Sequence, residues 1–194
     1  MYRYFTIAFL LVLFTLQARG QSAADKETNT PRLAVKSNVL YDITTSMNLG
    51  TELKVGRKLT LELPVTYNPW TFNDNKKFKF ILVQPELRWW LCEPFSGHFF
   101  GVHSHYAYYN VGGVGSDWMK QYRFEGWLAG GGITYGYQLY ISPRWSLEAS
   151  IGIGYAYLKY DRYDCITCGR FIENKSKSYF GPTKAAISFT YLIK

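Results

Sequence analysis

The sequence predicts an all-β protein, an eight-stranded antiparallel up-and-down transmembrane β-barrel. The clearest observation is the stretch Lys79–Cys92, in which apolar and polar residues alternate along the chain. Alternation of this kind indicates a β-strand whose two faces meet different environments. At about 3.3 Å per residue, such a strand is long enough to cross a bilayer core even when it is tilted. The pattern recurs in seven further segments, and the chain is rich in Tyr, Trp and Gly, which favours an all-β class.

The N-terminus predicts export. Arg3, the apolar run Phe5–Leu16 and the small-x-small sequence Ala18–Gly20 are typical of a cleaved secretory signal peptide over residues 1–20, with a membrane anchor as the alternative. Residues 21–32 are polar and predict a flexible periplasmic lead-in, and residues 33–194 form the predicted barrel domain. The formal net charge of +8 favours an anionic envelope surface as a neighbour. Nucleic acid is not an expected partner, because no recognition motif is present.

Each of the eight predicted strands has an apolar face and a polar face. In chain order they are Leu33–Asp42, Asn48–Val55, Leu59–Tyr67, Lys79–Cys92, Phe100–Tyr109, Gly126–Leu139, Trp145–Tyr157 and Lys184–Ile193. The apolar face of the third strand repeats Leu and Val, and that of the seventh repeats Ile and Tyr. The polar faces of the sixth and seventh strands are crowded with Gly, which leaves room for larger side chains from the opposite strands.

The connections fall into two classes. Those after the second, fourth and sixth strands are short turns, at Gly56–Lys58, Glu93–Gly97 and Ser142–Arg144. Those after the third, fifth and seventh are longer loops, Asn68–Lys77, Val111–Gln121 and Asp161–Lys177, while the first connection, Thr44–Ser46, is brief. Short turns at one end and longer loops at the other are typical of bacterial outer-membrane barrels, with the N-terminus in the periplasm.

The polar faces predict a lumen closed by ion pairs. They carry cations and carboxylates in equal number, namely Lys36, Lys54, Arg88, Lys184, Glu52, Glu62, Glu86 and Glu148. Eight strands leave an interior that side chains just fill, and a buried charge is costly unless it is paired. A soluble, lipocalin-like barrel with its apolar face inward is the alternative, and it would bind a ligand in an apolar cavity.

Two histidines and two cysteines are the remaining candidates for chemistry. His103 and His105 share a polar face, with Ser104 on the other face, and we expect hydrogen-bonded lumen histidines there; a lipid-modifying enzyme that uses one of them as a base with a serine partner is the alternative. Cys165 and Cys168 form a CxxC in the longest loop, which favours a disulfide in an exported protein. No metal site is expected, because further ligands are missing near the CxxC. We expect Cys92 to be a free thiol.

Several stretches resemble a family of uncharacterised outer-membrane proteins from Bacteroidetes bacteria, catalogued as a domain of unknown function. The stretches are VKSNVLYDITTSMNLGTELKVGRKLTLELPVTYNPW, KFILVQPELRWWLCEPFSGHFFGVH, YNVGG, RFEGWLAGGGITYGYQ, WSLEASIGIGYAYLKYDRYDCITCGR and YFGPTKAAISFTYLIK. The resemblance extends from Leu33 to Lys194 and implies an eight-stranded, OmpA-like barrel. Some relatives sit beside fimbrial or envelope genes or carry a peptidoglycan-binding domain, for which the present chain gives no signal. The resemblance implies no catalytic residues.

These observations lead to one expected function. We expect a non-enzymatic, integral outer-membrane barrel with a structural or interaction role and no cofactor. Its expected partners are outer-membrane lipid, lipopolysaccharide and an envelope or fimbrial protein. A lipid-modifying enzyme and a small pore are the alternatives within the membrane.

Overall fold

The computed structural model describes residues 31–71, 76–114, 120–164 and 169–193. Nine antiparallel strands form one sheet, and a short helix, α1 (Val39–Ile43), follows the first strand. The strands are β1 (Leu33–Asn38), β2 (Met47–Lys54), β3 (Leu59–Asn68), β4 (Lys77–Val83), β5 (Glu86–Trp90), β6 (Gly97–Gly112), β7 (Tyr122–Ser142), β8 (Trp145–Asp164) and β9 (Phe171–Ile193). The predicted all-β class is confirmed. No helix within these ranges is long and apolar enough to cross a membrane.

The strand pairings follow the order of the chain. Each strand pairs with the next, except that β4 and β5 both lie between β3 and β6. β9 also pairs with β1, from Leu33 opposite Ile193 to Asn38 opposite Ser188. The pairings therefore return from the last strand to the first.

The fourth predicted strand is divided into β4 and β5, which makes nine strands where the sequence predicts eight. Both halves keep one register, since Val83 lies opposite Val65 and Glu86 lies opposite Glu62 on β3. The division is caused by proline. Gln84 donates its backbone N–H to Pro64 O (3.2 Å), and Ser104 donates to Pro85 O (3.0 Å), but neither proline has an N–H with which to return the bond. The ladder therefore loses two bonds at one level without any shift in register.

The first predicted strand is too long by four residues. β1 ends at Asn38, and Val39–Ile43 form α1. The side chain of Asn38 caps this helix by accepting the backbone N–H of Leu40 (3.1 Å). The same oxygen accepts the N–H of Ile187 (3.2 Å), and the amide donates to Ala185 O (3.3 Å), so Asn38 also joins the helix to β9.

One predicted loop is largely strand, and a second begins with strand residues. β8 and β9 remain paired as far as Tyr163 opposite Phe171, with a register shift after Arg162, within the predicted loop Asp161–Lys177. On the other loop, Val111 and Gly112 still belong to β6. These outer parts of the hairpins carry polar residues on both faces, and a strand with similar surroundings on both sides gives no alternation signal.

The two faces of the sheet differ in polarity, and the difference is opposite to that in a water-soluble protein, which buries its apolar side chains. One face, called here the inner face, buries charged and polar side chains, among them Arg88, Glu52 and Glu148 at 0–1% exposure. The other, the outer face, exposes apolar side chains along its strands, among them Leu61, Val102 and Ile151 at 43–65%. In each strand predicted to alternate, the predicted polar face is thus the inner face.

We expect Asn38→Ala to destabilise the fold by about 1–2 kcal/mol, because one side chain caps α1 and bonds two backbone groups of β9. The free energy of unfolding is measured by urea titration of the folded protein in detergent, followed by Trp fluorescence. Asn38→Asp is the control, since it keeps the capping oxygen and is expected to lose less. An unchanged urea midpoint for Asn38→Ala would contradict the assignment.

Candidate functional site: a buried charge cluster on the inner face

The inner face gathers a cluster of charged side chains, called here the charge cluster. It is contributed by strands β1, β2, β3, β5, β8 and β9 and consists of Lys36, Glu52, Glu62, Glu86, Arg88, Glu148 and Lys184. All of these side chains are buried. Seven of the eight charged residues predicted to form ion pairs therefore belong to one connected cluster.

Arg88 is the centre of the charge cluster and contacts all four of its carboxylates. Its Nε donates to Glu86 Oε1 (2.7 Å), and its Nη1 donates to Glu52 Oε2 (3.0 Å). Glu148 accepts hydrogen bonds from both Nη1 and Nη2 of Arg88, each at 2.9 Å, and Nη2 also donates to Glu62. The planar guanidinium with its five N–H donors suits such a site, because a lysine has no fixed fork of donors.

The two lysines bind the carboxylates that lie around Arg88. Lys36 on β1 contacts Glu52 and Glu148 closely and lies 3.7 Å from Glu62. Lys184 on β9 reaches Glu62 (3.0 Å) and Glu86 (2.9 Å). Each carboxylate of the charge cluster thus contacts at least two cations, which compensates the loss of hydration that burial imposes.

Lys54 is the predicted member that does not belong to the charge cluster as defined above. It is the last residue of β2, beside the turn, and it is half-buried. It lies opposite Thr60, which in turn lies opposite Arg88, so these three residues share one row across β2, β3 and β5. Alternation assigns Lys54 to a face of the sheet, but it does not give the contacts that the side chain makes there.

The predicted histidines lie inward beside the charge cluster and are buried. Thr134 donates its hydroxyl to Glu86 (2.8 Å), so it must accept from His103 Nδ1 (2.8 Å). The other nitrogen of His103 lies 2.9 Å from the hydroxyl of Thr183. Both nitrogens of His103 are thus engaged by threonines, while Ser104 lies on the outer face. Ser104 and the two histidines are therefore on opposite faces of β6, as the alternation predicts.

His105 lies next to His103, with ring centroids 5.7 Å apart. Its Nδ1 has no hydrogen-bond partner within the described residues. The ring fits because β7 has glycine opposite it: a Cβ on Gly130 would lie 2.8 Å from Nε2 of His105. Gly136 likewise leaves space for the Phe99 ring, which would lie 2.3 Å from a Cβ added at position 136. The glycines of β7 therefore provide the room that the sequence predicts for them.

Three aromatic residues close the inner face at its short-turn end. Trp90, Phe95 and Phe99 are each 0% exposed, and the Trp90 ring lies 4.8 Å from Phe99 and 6.2 Å from Phe95. Phe99 also lies under the guanidinium of Arg88, 4.4 Å from it. Phe95 belongs to the turn between β5 and β6 and has φ of 66°, a conformation that costs energy for a bulky residue. Trp90 in the polar register of its strand is the one sequence signal for this closure.

At the opposite, loop end, α1 places Tyr41 6.5 Å from the ring of Phe80. Burial raises the pKa of the Tyr41 phenol above its ordinary value. On the tall strands β7–β9, the guanidinium of Arg162 lies over Tyr122 (4.6 Å) and pairs with Glu173 (2.6 Å). The Arg162 contacts thus join the outer parts of β7, β8 and β9.

The predicted disulfide, Cys165 with Cys168, lies outside the described residues, as do the predicted signal peptide and most of the lead-in. Cys92 is exposed and is a free thiol. Within the described ranges no group of three or more His, Cys, Asp or Glu side chains is arranged to hold a metal ion.

Comparison with known protein families shows which family the chain belongs to. The model of a family described as "Protein of unknown function (DUF3575)" matches residues 5–193. The chain belongs to this family. A search of the curated proteins and a search of the solved structures found no significant match. Membership of DUF3575 agrees with the resemblance to a domain of unknown function and assigns no activity to the charge cluster.

We expect Arg88→Met to destabilise the protein by about 3–5 kcal/mol, because it leaves four buried carboxylates with only two lysines. The free energy of unfolding is measured by denaturant titration in detergent micelles. Arg57→Met, at an exposed turn position, is the matched control and is expected to stay within about 0.5 kcal/mol of the wild type. Equal stability of the two variants would show that Arg88 does not hold the charge cluster together.

Proposed function

We propose that the protein is an integral outer-membrane β-barrel with a structural or interaction role. Its lumen is closed by the charge cluster, its loops face outward, and it performs no catalysis. The observation that carries the proposal is the reversal of the two faces: the ions are buried together, and the apolar side chains are exposed.

The exposed apolar surface supports a membrane environment. Among the described residues, thirty-seven large hydrophobic side chains have at least about a third of their area exposed, and most of those in strands lie on the outer face. Soluble monomers rarely expose contiguous apolar patches above a few hundred Å². A hydrocarbon environment removes this cost. The aromatic residues Trp89, Trp145 and Tyr137 on this face suit the aromatic girdles of membrane interfaces.

The circuit of strand pairings supports the barrel. In hydrocarbon, backbone N–H and C=O groups must find partners within the protein, so a sheet must close on itself to span a bilayer. The pairing of β9 with β1 supplies the closing ladder. On this proposal β4 and β5 are one spanning strand interrupted by Pro85, and the count returns to the even number typical of bacterial barrels.

The contents of the lumen favour a structural role over the alternatives. Arg88 and its four carboxylates fill the middle, and Trp90 with Phe95 covers the short-turn end. The lipid-modifying alternative requires a histidine at the mouth, but His103 is buried and bonded to two threonines. What remains for interaction is the loop end, where β7, β8 and β9 form a tall sheet with the exposed cations Lys175 and Lys177. Lipopolysaccharide phosphates or a protein of the envelope or of a fimbria are the partners proposed for it.

Heat-modifiability tests the proposal. We expect the protein in an outer-membrane fraction to migrate at a different apparent mass on a denaturing gel when it is boiled, because a closed barrel resists detergent until heat opens it. Outer-membrane and soluble periplasmic fractions are compared with and without boiling. Recovery in the soluble periplasm without a shift would overturn the proposal and favour a soluble barrel.

We also expect no single-channel conductance when the purified protein is added to planar bilayers, since the charge cluster fills the lumen. A porin added to the same bilayer is the positive control. Discrete current steps from the wild-type protein, altered by Glu86→Gln, would instead support the pore alternative.

A further inference from the structure

The outer face is not evenly convex, and it contains an apolar groove with a volume of about 590 Å³. The groove crosses β3, β5, β6, β7, β8 and β9, and six of its lining residues are Leu59, Trp89, Phe100, Ile133, Ile153 and Pro182. Its volume lies within the roughly 300–1,000 Å³ range of small-molecule sites. None of these six side chains is charged, so the site is suited to a hydrocarbon chain.

The register shows how the groove runs. Leu59 lies opposite Trp89, which lies opposite Phe100, and the same row continues to Tyr135 on β7 and Ile151 on β8. Leu59 is the first residue of β3, beside a short turn, whereas Pro182 lies within the length of β9. Strands of a closed sheet are tilted, so this row rises from the short-turn end toward the middle of the wall.

The end of the groove at the short turn is positively charged. Lys58 and Arg57 are exposed in the turn that leads directly into Leu59. The amine of Lys58 is held at this end by donating to Leu91 O (2.8 Å). A ligand that fills the groove with hydrocarbon can therefore place an anionic group beside Lys58.

We propose that the groove binds one acyl chain of a glycerophospholipid from the leaflet on the short-turn side, with the phosphate beside Lys58. This inference rests on the proposed membrane barrel. The ligand is a glycerophospholipid because the charged end of the groove, at Lys58 and Leu59, lies on the side of the short turns. This side faces the periplasm in such barrels. Lipopolysaccharide lies in the other leaflet and would approach from the loop end.

The groove matters because apolar area alone cannot retain a lipid inside a bilayer. Lipid tails are as apolar as leucine, so a chain gains nothing by leaving bulk lipid for a flat protein surface. A concave wall surrounds the chain and adds dispersion contacts that a convex wall lacks. Retention therefore depends on the shape of the groove and on the charge at its end, and both can be altered by substitution.

The test is native mass spectrometry of the protein extracted from outer membranes in mild detergent, with the retained lipid identified by fragmentation. We expect one glycerophospholipid per folded wild-type chain. Ile133→Trp fills the groove and is expected to abolish retention. Ile187→Trp is the matched control, since it adds the same side chain to the outer face at β9, outside the groove lining. Lys58→Gln is expected to weaken retention of phosphatidylglycerol, whereas Arg57→Gln preserves Lys58 and is expected to weaken it less.

The outcomes separate this proposal from the barrel itself. A folded, heat-modifiable wild type that retains no lipid would overturn the groove and leave the barrel intact. Equal retention by Ile133→Trp and Ile187→Trp would identify the lipid as part of a general annulus and also overturn it. If the groove retains lipopolysaccharide instead, or a second protein chain that Ile133→Trp displaces, then the proposed glycerophospholipid is not its ligand and the proposal is wrong. A protein that fails the heat-modifiability test refutes the barrel, and with it the groove proposal that rests on the barrel.

Discussion

The fold depends on one buried guanidinium. Arg88 is fully buried and contacts carboxylates on β2, β3, β5 and β8, while Lys36 and Lys184 bring β1 and β9 to the same group. Removing these ions from water costs several kcal/mol each, and their attraction repays it only when all partners are present in good geometry. The charge cluster is therefore weak evidence for high stability and stronger evidence for specificity. A partly assembled sheet would hold the charges without their partners.

This constraint couples strands that are remote in the chain. Glu62 on β3 and Lys184 on β9 meet only if the intervening strands pair in their registers, and a slip of one residue would carry a charged side chain to the outer face. The proline interruption illustrates the tolerance of the arrangement. β4 and β5 lose ladder bonds at Pro85, yet the register with β3 and β6 is unchanged on either side. Side-chain partners on the inner face thus preserve an alignment that the backbone alone holds less firmly at that level.

The sequence predicts the faces of the strands well, and it predicts their ends and their side-chain contacts less well. A period of two assigns Glu52, Arg88 and Glu148 to one side without knowledge of any neighbour, and seven of the eight predicted ionic residues meet. It does not give the contacts of Lys54, because these depend on which residues of other strands surround the side chain. Asn38 ends β1 through hydrogen bonds to Leu40 and Ile187, and the second of these lies on a distant strand. The outer parts of β8 and β9 are missed because both of their faces are polar. Thr134 and Thr183 are missed because threonine is common on any strand.

In the proposed barrel, the arrangement that fills the interior directs function to the outside. The charge cluster, two histidines and the Trp90–Phe95–Phe99 group occupy the inner face, and Gly136 leaves the space that the Phe99 ring fills. Large residues such as Arg88 and Trp90 lie inward on β5, whereas Gly132 and Gly152 take inward positions on β7 and β8. The apolar groove crosses β7 and β8 at Ile133, Ile151 and Ile153, which are the chain neighbours of these glycines. Two strands that pack the interior with small residues therefore also present the groove on the outer face.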